Sequence, residues 1–158
     1  MFERGNEAEV AAVRGTRLRA AATVGDAAAV AELVEAGTGI NDADEDGRTG
    51  LWLAAWGNHS DVAAELIDSG ADLDRCSRHG ETALMAAAVG GGGPTDVLEL
   101  LLWAGADWRK VDDEGRTAAV YAEDCGIEEA TAVLAAWEAE QLSEVENSSD
   151  AEGPGDDY

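Results

Sequence analysis

Short runs of small apolar residues, each closed by glycine or by an acidic turn, set the pattern of this chain. After Gly47-Arg48-Thr49, Gly80-Glu81-Thr82 and Gly115-Arg116-Thr117 come Leu51 to Gly57, Leu84 to Val89 and Ala119 to Cys125, which read as short alanine-rich helices. A break follows, and a second apolar stretch, Val62 to Ser69 or Val97 to Ala104, runs into glycine. Asp44-Glu45-Asp46-Gly47 and Asp112-Asp113-Glu114-Gly115 predict tight turns in which glycine takes a positive φ. None of these helices is long or amphipathic enough to stand alone. The unit of turn, helix and helix must therefore stack on its neighbours to bury its apolar face.

The spacing is regular. Gly-x-Thr recurs after 33 and then 35 residues; Gly70-Ala71-Asp72 and Gly105-Ala106-Asp107 lie 35 apart, with Gly37-Thr38-Gly39 33 residues before the first of them. Two independent markers at one period define an internal repeat. Four units follow, at about 11–43, 44–76, 77–111 and 112–140, in one domain over 1–142. Asn6 to Val13 predicts a short extra helix capping unit 1. Ser143 to Tyr158 is acidic, contains Gly153-Pro154-Gly155 and has too few apolar residues to pack, which predicts a disordered tail.

The run Asp44-Glu45-Asp46-Gly47-Arg48-Thr49-Gly50-Leu51-Trp52-Leu53-Ala54-Ala55-Trp56-Gly57-Asn58-His59 resembles the start of an ankyrin repeat, and Gly70-Ala71-Asp72 resembles its end. The resemblance implies an all-α solenoid that binds protein partners. Departures from the family pattern carry expectations of their own. The proline after threonine is Gly50, Ala83 and Ala118, so helix starts should be less firmly set. Asn58 stands for the inter-helix glycine and should be left-handed. Trp52 and Met85 replace a histidine, weakening hydrogen bonds between neighbouring turns, while His59 falls on the family's structural histidine and should bond backbone nearby. Unit 1 lacks the acidic turn, as an end cap does. Unit 3 carries two extra residues within Gly90 to Pro94, and the second helix of unit 4 is polar at Glu128, Glu129 and Thr131, as a last repeat requires.

Partners of proteins similar to this one dock on the concave side, formed by turn tips and the exposed face of the first helices. Matching positions are Glu45, Asp46, Arg48 and Trp56 in unit 2, Arg78, His79, Glu81 and Val89 in unit 3, and Asp113, Glu114, Arg116 and Asp124 in unit 4. Trp56 follows Ala54-Ala55, so its ring should be partly exposed and suited to anchor a partner; packing on a neighbouring repeat is the alternative. Trp103 is expected on the outer side of its helix and Trp108 in a buried, apolar place.

Composition narrows the class of partner. Lys+Arg is 10 against Asp+Glu 34, a net charge of -24, and Lys110 is the only lysine. Such a chain repels phosphate backbones and anionic membranes and attracts basic proteins. The same acidity also suits a salty cytoplasm, and high alanine, glycine and arginine with almost no lysine is what a GC-rich genome gives; 32 alanines and a single phenylalanine suit closely packed helices. Cys76 and Cys125 lack metal-ligand spacing and predict free thiols in a reducing, cytoplasmic setting. No signal peptide or membrane span is read at the sequence level.

Three motifs invite chemistry. Asp42-Ala43-Asp44-Glu45-Asp46-Gly47 matches the first half of a calcium loop, but Leu53 stands where the bidentate glutamate belongs, inside a helix. Gly90 to Pro94 looks like a phosphate loop, but no lysine follows and Asp96 would repel the ligand. His79 near Cys76 has no orienting group or oxyanion hole. The expected protein is therefore a non-catalytic interaction module without cofactor or metal, monomeric when unbound. Its expected role is as an adaptor or inhibitor of a basic protein. An immunity- or antitoxin-like protein against a basic toxin or nuclease is one alternative; a scaffold whose acidity reflects salt adaptation or genome composition is another.

Overall fold

The computed structural model of the chain describes residues 3–92 and 94–150. Among these residues are eight α-helices and no strand: α1 Glu3–Val24, α2 Ala27–Glu35, α3 Gly50–Trp56, α4 Ser60–Asp68, α5 Ala83–Val89, α6 Asp96–Ala104, α7 Ala118–Asp124 and α8 Glu128–Asp150. They form two rows. α1, α3, α5 and α7 stack in order as the first row, α2, α4, α6 and α8 as the second, and each unit joins one helix of either row. Leu18, Leu51, Leu66, Leu84, Leu98 and Leu101 are buried between the rows. Buried Ala54, Ala55, Ala86, Ala87 and Ala88 let α3 and α5 approach closely.

Helix starts are well defined without proline. Thr49, Thr82 and Thr117 each sit in extended backbone, and their hydroxyls accept from the N–H three residues on, at Trp52, Met85 and Val120 (3.2, 3.4 and 3.4 Å). These caps form at the three starts whose next residue is Gly50, Ala83 or Ala118. Met85 adds a second bond, its sulfur accepting from Thr82 N. Asp26 caps α2 through Ala29 N.

The turns repeat one arrangement. Asp44 Oδ1 accepts from the N–H groups of Asp46 and Arg48, and Oδ2 from Arg48 Nε at 3.0 Å. Asp112 does the same with Glu114 and Arg116. In unit 3, Ser77 Oγ takes the two N–H bonds, from His79 and Glu81. Successive tips are joined by backbone bonds, Arg78 N to Asp46 O at 2.7 Å and Asp113 N to His79 O at 3.0 Å. Gly80 has φ +80, and a Cβ there would lie 2.9 Å from Asp113 N; Gly115 has φ +78 and open space around it. Both Gly80→Ala and Gly115→Ala should lose about 1–2 kcal/mol to left-handed strain. The Gly80 change should lose more, because the next turn must also move. Equal shifts in urea midpoint for the two variants would rule out a stabilising contact between tips.

Asn58 is left-handed at φ 52, as its position predicted. Leu53 lies within α3. His59 Nε2 donates to the Thr23 carbonyl at 2.9 Å, so the bond ties unit 2 to unit 1. Gly90–Gly92 forms a tight turn with Gly91 at φ 70, which absorbs the extra residues of unit 3; Gly93 lies outside the described residues.

Two expectations for the ends are corrected. The separate helix over Asn6 to Val13 is part of one helix, α1, that continues into unit 1. Glu, Ala and Arg dominate that stretch and no proline interrupts it, so nothing breaks the backbone ladder. α8 likewise runs through the 142/143 boundary to Asp150, into the segment expected to be disordered; from Ser143 to Asp150 no proline or glycine interrupts the backbone ladder. Residues 151–158 of that segment lie outside the described residues.

Candidate partner-binding face

The sequence places a spine of aromatic and charged groups on one face of the first row. Trp52 and Trp56 are four residues apart in α3, so the helix brings them to one side, and Arg48 stands in the turn just before the Thr49 cap. The Trp52 and Trp56 rings stack with centroids 5.7 Å apart and 7° between planes, and the Arg48 guanidinium lies 5.7 Å from the Trp52 centroid. Trp52 is buried, whereas Trp56 is 52% exposed. Its ring thus packs on Trp52 of its own helix and keeps part of its surface in solvent. The indole Nε1 of Trp52 is buried and has no hydrogen-bond partner among the described residues.

From the next two units come Glu81 and Tyr121. Glu81 is half-buried; its Oε2 accepts from Ser77 Oγ at 3.1 Å, and its Oε1 lies 3.4 Å from Tyr121 Oη. Tyr121 donates its one hydroxyl proton to Asp112 Oδ2 at 2.6 Å and accepts from Arg116 Nη2 at 3.0 Å. Burial first, then the bond to Asp112 and the charges of Asp112 and Glu81, raise the Tyr121 phenol well above its ordinary pKa. Asp112 is 7% exposed. Burial pushes its carboxyl up, but the bonds from Tyr121, Arg116 and Glu114 outweigh that and hold it at about 2. Asp44 is likewise lowered: burial raises it, and the bonds from Arg48 and Asp46 prevail.

Trp52, Trp56, Glu81, Met85, Ala86, Val89 and Tyr121 together line a small cavity of about 30 Å³. Of the residues matched from the family pattern, Trp56, Glu81 and Val89 meet here. Asp46, Arg48 and Arg78 meet at the tips, where Asp46 pairs with Arg48 at 3.1 Å and with Arg78 at 3.5 Å. Glu114 and Arg116 pair at 3.6 Å beside Asp112. Arg48 and Arg116 are half-buried and engaged in their own turns, so they support the face more than they project from it. Glu45, His79, Asp113 and Asp124 are exposed, and their side chains make no hydrogen bond or ion pair among the described residues. Trp52 and Tyr121 were not among the matched positions. The four-residue spacing of Trp52 and Trp56 was the available sign for the first. For Tyr121 the sign was its place four after Thr117, where units 2 and 3 have Leu53 and Ala86.

Elsewhere, Trp103 is 76% exposed on the outer row and meets Trp137 edge-on at 5.1 Å. Trp108 is half-buried against the core with Arg109 4.9 Å from its ring centroid. A roomier cavity between α1 and the loop after α2 is lined by Glu7, Val10, Arg14 and Thr38 and holds no aromatic side chain. Cys76 and Cys125 are both exposed and unpaired. Among the described residues no helix is long and apolar enough to cross a membrane.

Residues 18–112 match the family model for ankyrin repeats, in three copies. No curated protein matches the chain. The matched stretch holds the two-row stack from the middle of α1 to the turn at Asp112, and α7 and α8 extend the same packing beyond it.

Proposed function

As the chain belongs to the ankyrin-repeat family, whose repeats are protein–protein interaction modules, we propose that it acts by binding a basic protein on the face that carries Trp56 and Glu81. The observation that supports this reading is a half-exposed tryptophan on a chain of net charge -24. Large aromatic rings dominate binding energy when a partner desolvates them. A strongly negative surface draws a basic partner in and discriminates against acidic ones. An adaptor or inhibitor works by occupancy alone and needs no catalytic group. Covering a basic toxin or nuclease, as immunity proteins and antitoxins do, is one concrete form of it.

The test is kinetic. With the partner in hand, its association rate should fall at least about tenfold between low and high salt, and Trp56→Ala should weaken affinity by about 2 kcal/mol. A salt-independent rate removes the electrostatic half of the proposal; retained affinity in Trp56→Ala moves the site off this face. Arg48 is a poorer probe, since its loss also unties the Asp44 turn. The same charge favours one other reading, a scaffold adapted to high salt. Stability rising steeply into molar salt, without a salt-dependent association rate, would select it.

A further inference from the structure

Asp44, Asp46, Asp112 and Glu114 in the turns have cations of their own, whereas exposed Glu45 and Asp113 have none among the described residues. Arg48 pairs with Asp44 and Asp46, Arg78 with Asp46, and Arg116 with Asp112 and Glu114. Glu81 is half-buried and has none among the described residues. Its Oε1 is close to Tyr121 Oη, but the hydroxyl proton is directed at Asp112 over 2.6 Å, which leaves Oε1 without a donor. The cavity it lines is walled by the Trp52–Trp56 stack, and Trp56 presents a half-exposed ring. At about 30 Å³ it is far smaller than the ~300–1,000 Å³ usual for small-molecule sites, so a partner group meets it at its mouth, beside the exposed Trp56 ring.

Resting on the basic-partner reading above, we propose that the mouth of this cavity is an arginine-specific subsite. In it a guanidinium of the partner stacks on Trp56 and forms a salt bridge with Glu81. Both halves of the recognition follow from chemistry. An indole face attracts a cation through its quadrupole, most strongly where water is excluded. A guanidinium is planar, weakly hydrated and able to offer two parallel N–H groups to a carboxylate, whereas an ammonium is a compact, strongly hydrated charge. The chain already uses this pairing internally: Arg48, Arg109 and Arg116 lie 5.7, 4.9 and 4.5 Å from the ring centroids of Trp52, Trp108 and Tyr121. Trp56 is the member of the stack with ring surface left over.

The experiment titrates the full chain, at low ionic strength, with a short arginine–glycine peptide and with a lysine–glycine peptide of equal length and charge. Affinity and the indole N–H signals of Trp52 and Trp56 are read by NMR. The arginine peptide should bind about fivefold to tenfold tighter and shift the Trp56 signal. Glu81→Gln should bring the ratio of the two affinities close to one, and so should Trp56→Leu, which tests the subsite even if one variant folds poorly. Glu45→Gln, an exposed acid outside the cavity, should weaken both peptides alike and keep their ratio. Equal binding of the two peptides to the wild-type chain overturns the subsite and leaves the acidic face standing. An arginine preference that survives Glu81→Gln and Trp56→Leu also overturns it. Failure of both peptides to bind at low salt overturns the subsite together with the basic-partner reading.

Discussion

Leu84→Ala should lower the free energy of unfolding by about 2–5 kcal/mol, read as a lower urea midpoint at unchanged slope. Leu84 is 1% exposed, in the helix that packs against α3 on one side, α7 on the other and α6 behind. Truncation removes its contacts with these elements and leaves a cavity, because the short alanine-rich helices around it hold few long side chains able to fill the gap. In a linear array each unit is held by its own contacts and by its two neighbours, so a lesion in the middle weakens both interfaces. Leu134, also buried, belongs to the last helix, which has neighbours on one side only. Leu134→Ala should loosen unit 4 while the remainder stays folded, seen as a shallower transition. A loss below about 1 kcal/mol for Leu84→Ala would contradict the tight packing of the central helices.

Asp112→Ala should cost about 2–4 kcal/mol at neutral pH, because one buried carboxylate accepts from Glu114 N, Arg116 N, Arg116 Nε and Tyr121 Oη. The substitution strands two turn N–H groups and takes from the Tyr121 phenol its short acceptor, leaving it Glu81 Oε1 at 3.4 Å. Tyr121→Phe should cost less, since it removes one bond and leaves the turn intact. A pH signature accompanies this. The folded-state pKa of Asp112 is lowered to about 2, so the unfolded chain takes up the proton first as pH falls. Its contribution is complete above the ordinary carboxylate value of about 4 and is lost between there and about 2. Asp112→Asn should therefore flatten the fall in stability over that window, measured by urea titrations at stepped pH. An unchanged slope there would mean that the carboxylate is not held by these bonds. Tyr121 behaves in the opposite direction: its raised pKa keeps the phenol protonated in the folded state, so its contribution holds below about 10 and fades at higher pH.

These two residues mark the boundary between what could be read along the chain and what could not. Asp112 was legible as the opening of a turn, because an aspartate followed three residues on by glycine describes a local hydrogen-bonding pattern. Its bond to Tyr121 was not, since a nine-residue separation puts the two on different elements whose relative placement depends on packing. Among the candidate site residues, Trp56 was found from its small neighbours Ala54 and Ala55, and Glu81 from its match to the turn position. The cavity they share was not foreseen, nor was its dependence on Trp52 and Tyr121.

The repeat register, the two-helix unit, the left-handed Asn58 and the helical place of Leu53 were determined by the sequence alone. Each depends on interactions spanning a handful of residues: threonine caps, acidic turns, glycines at positive φ and apolar runs of fixed spacing. The lengths of α1 and α8 were not legible in the repeat pattern, because a helix free of proline can continue past the last repeat unit without any signal of that pattern. Only the tertiary structure decided that Glu81 lies beside Tyr121, 40 residues away, that His59 holds Thr23, and that Trp56 keeps part of its ring in solvent while stacking on Trp52. Stacking the units sets those distances, and a small change in rise or rotation between repeats would separate the same residues without altering any local signal.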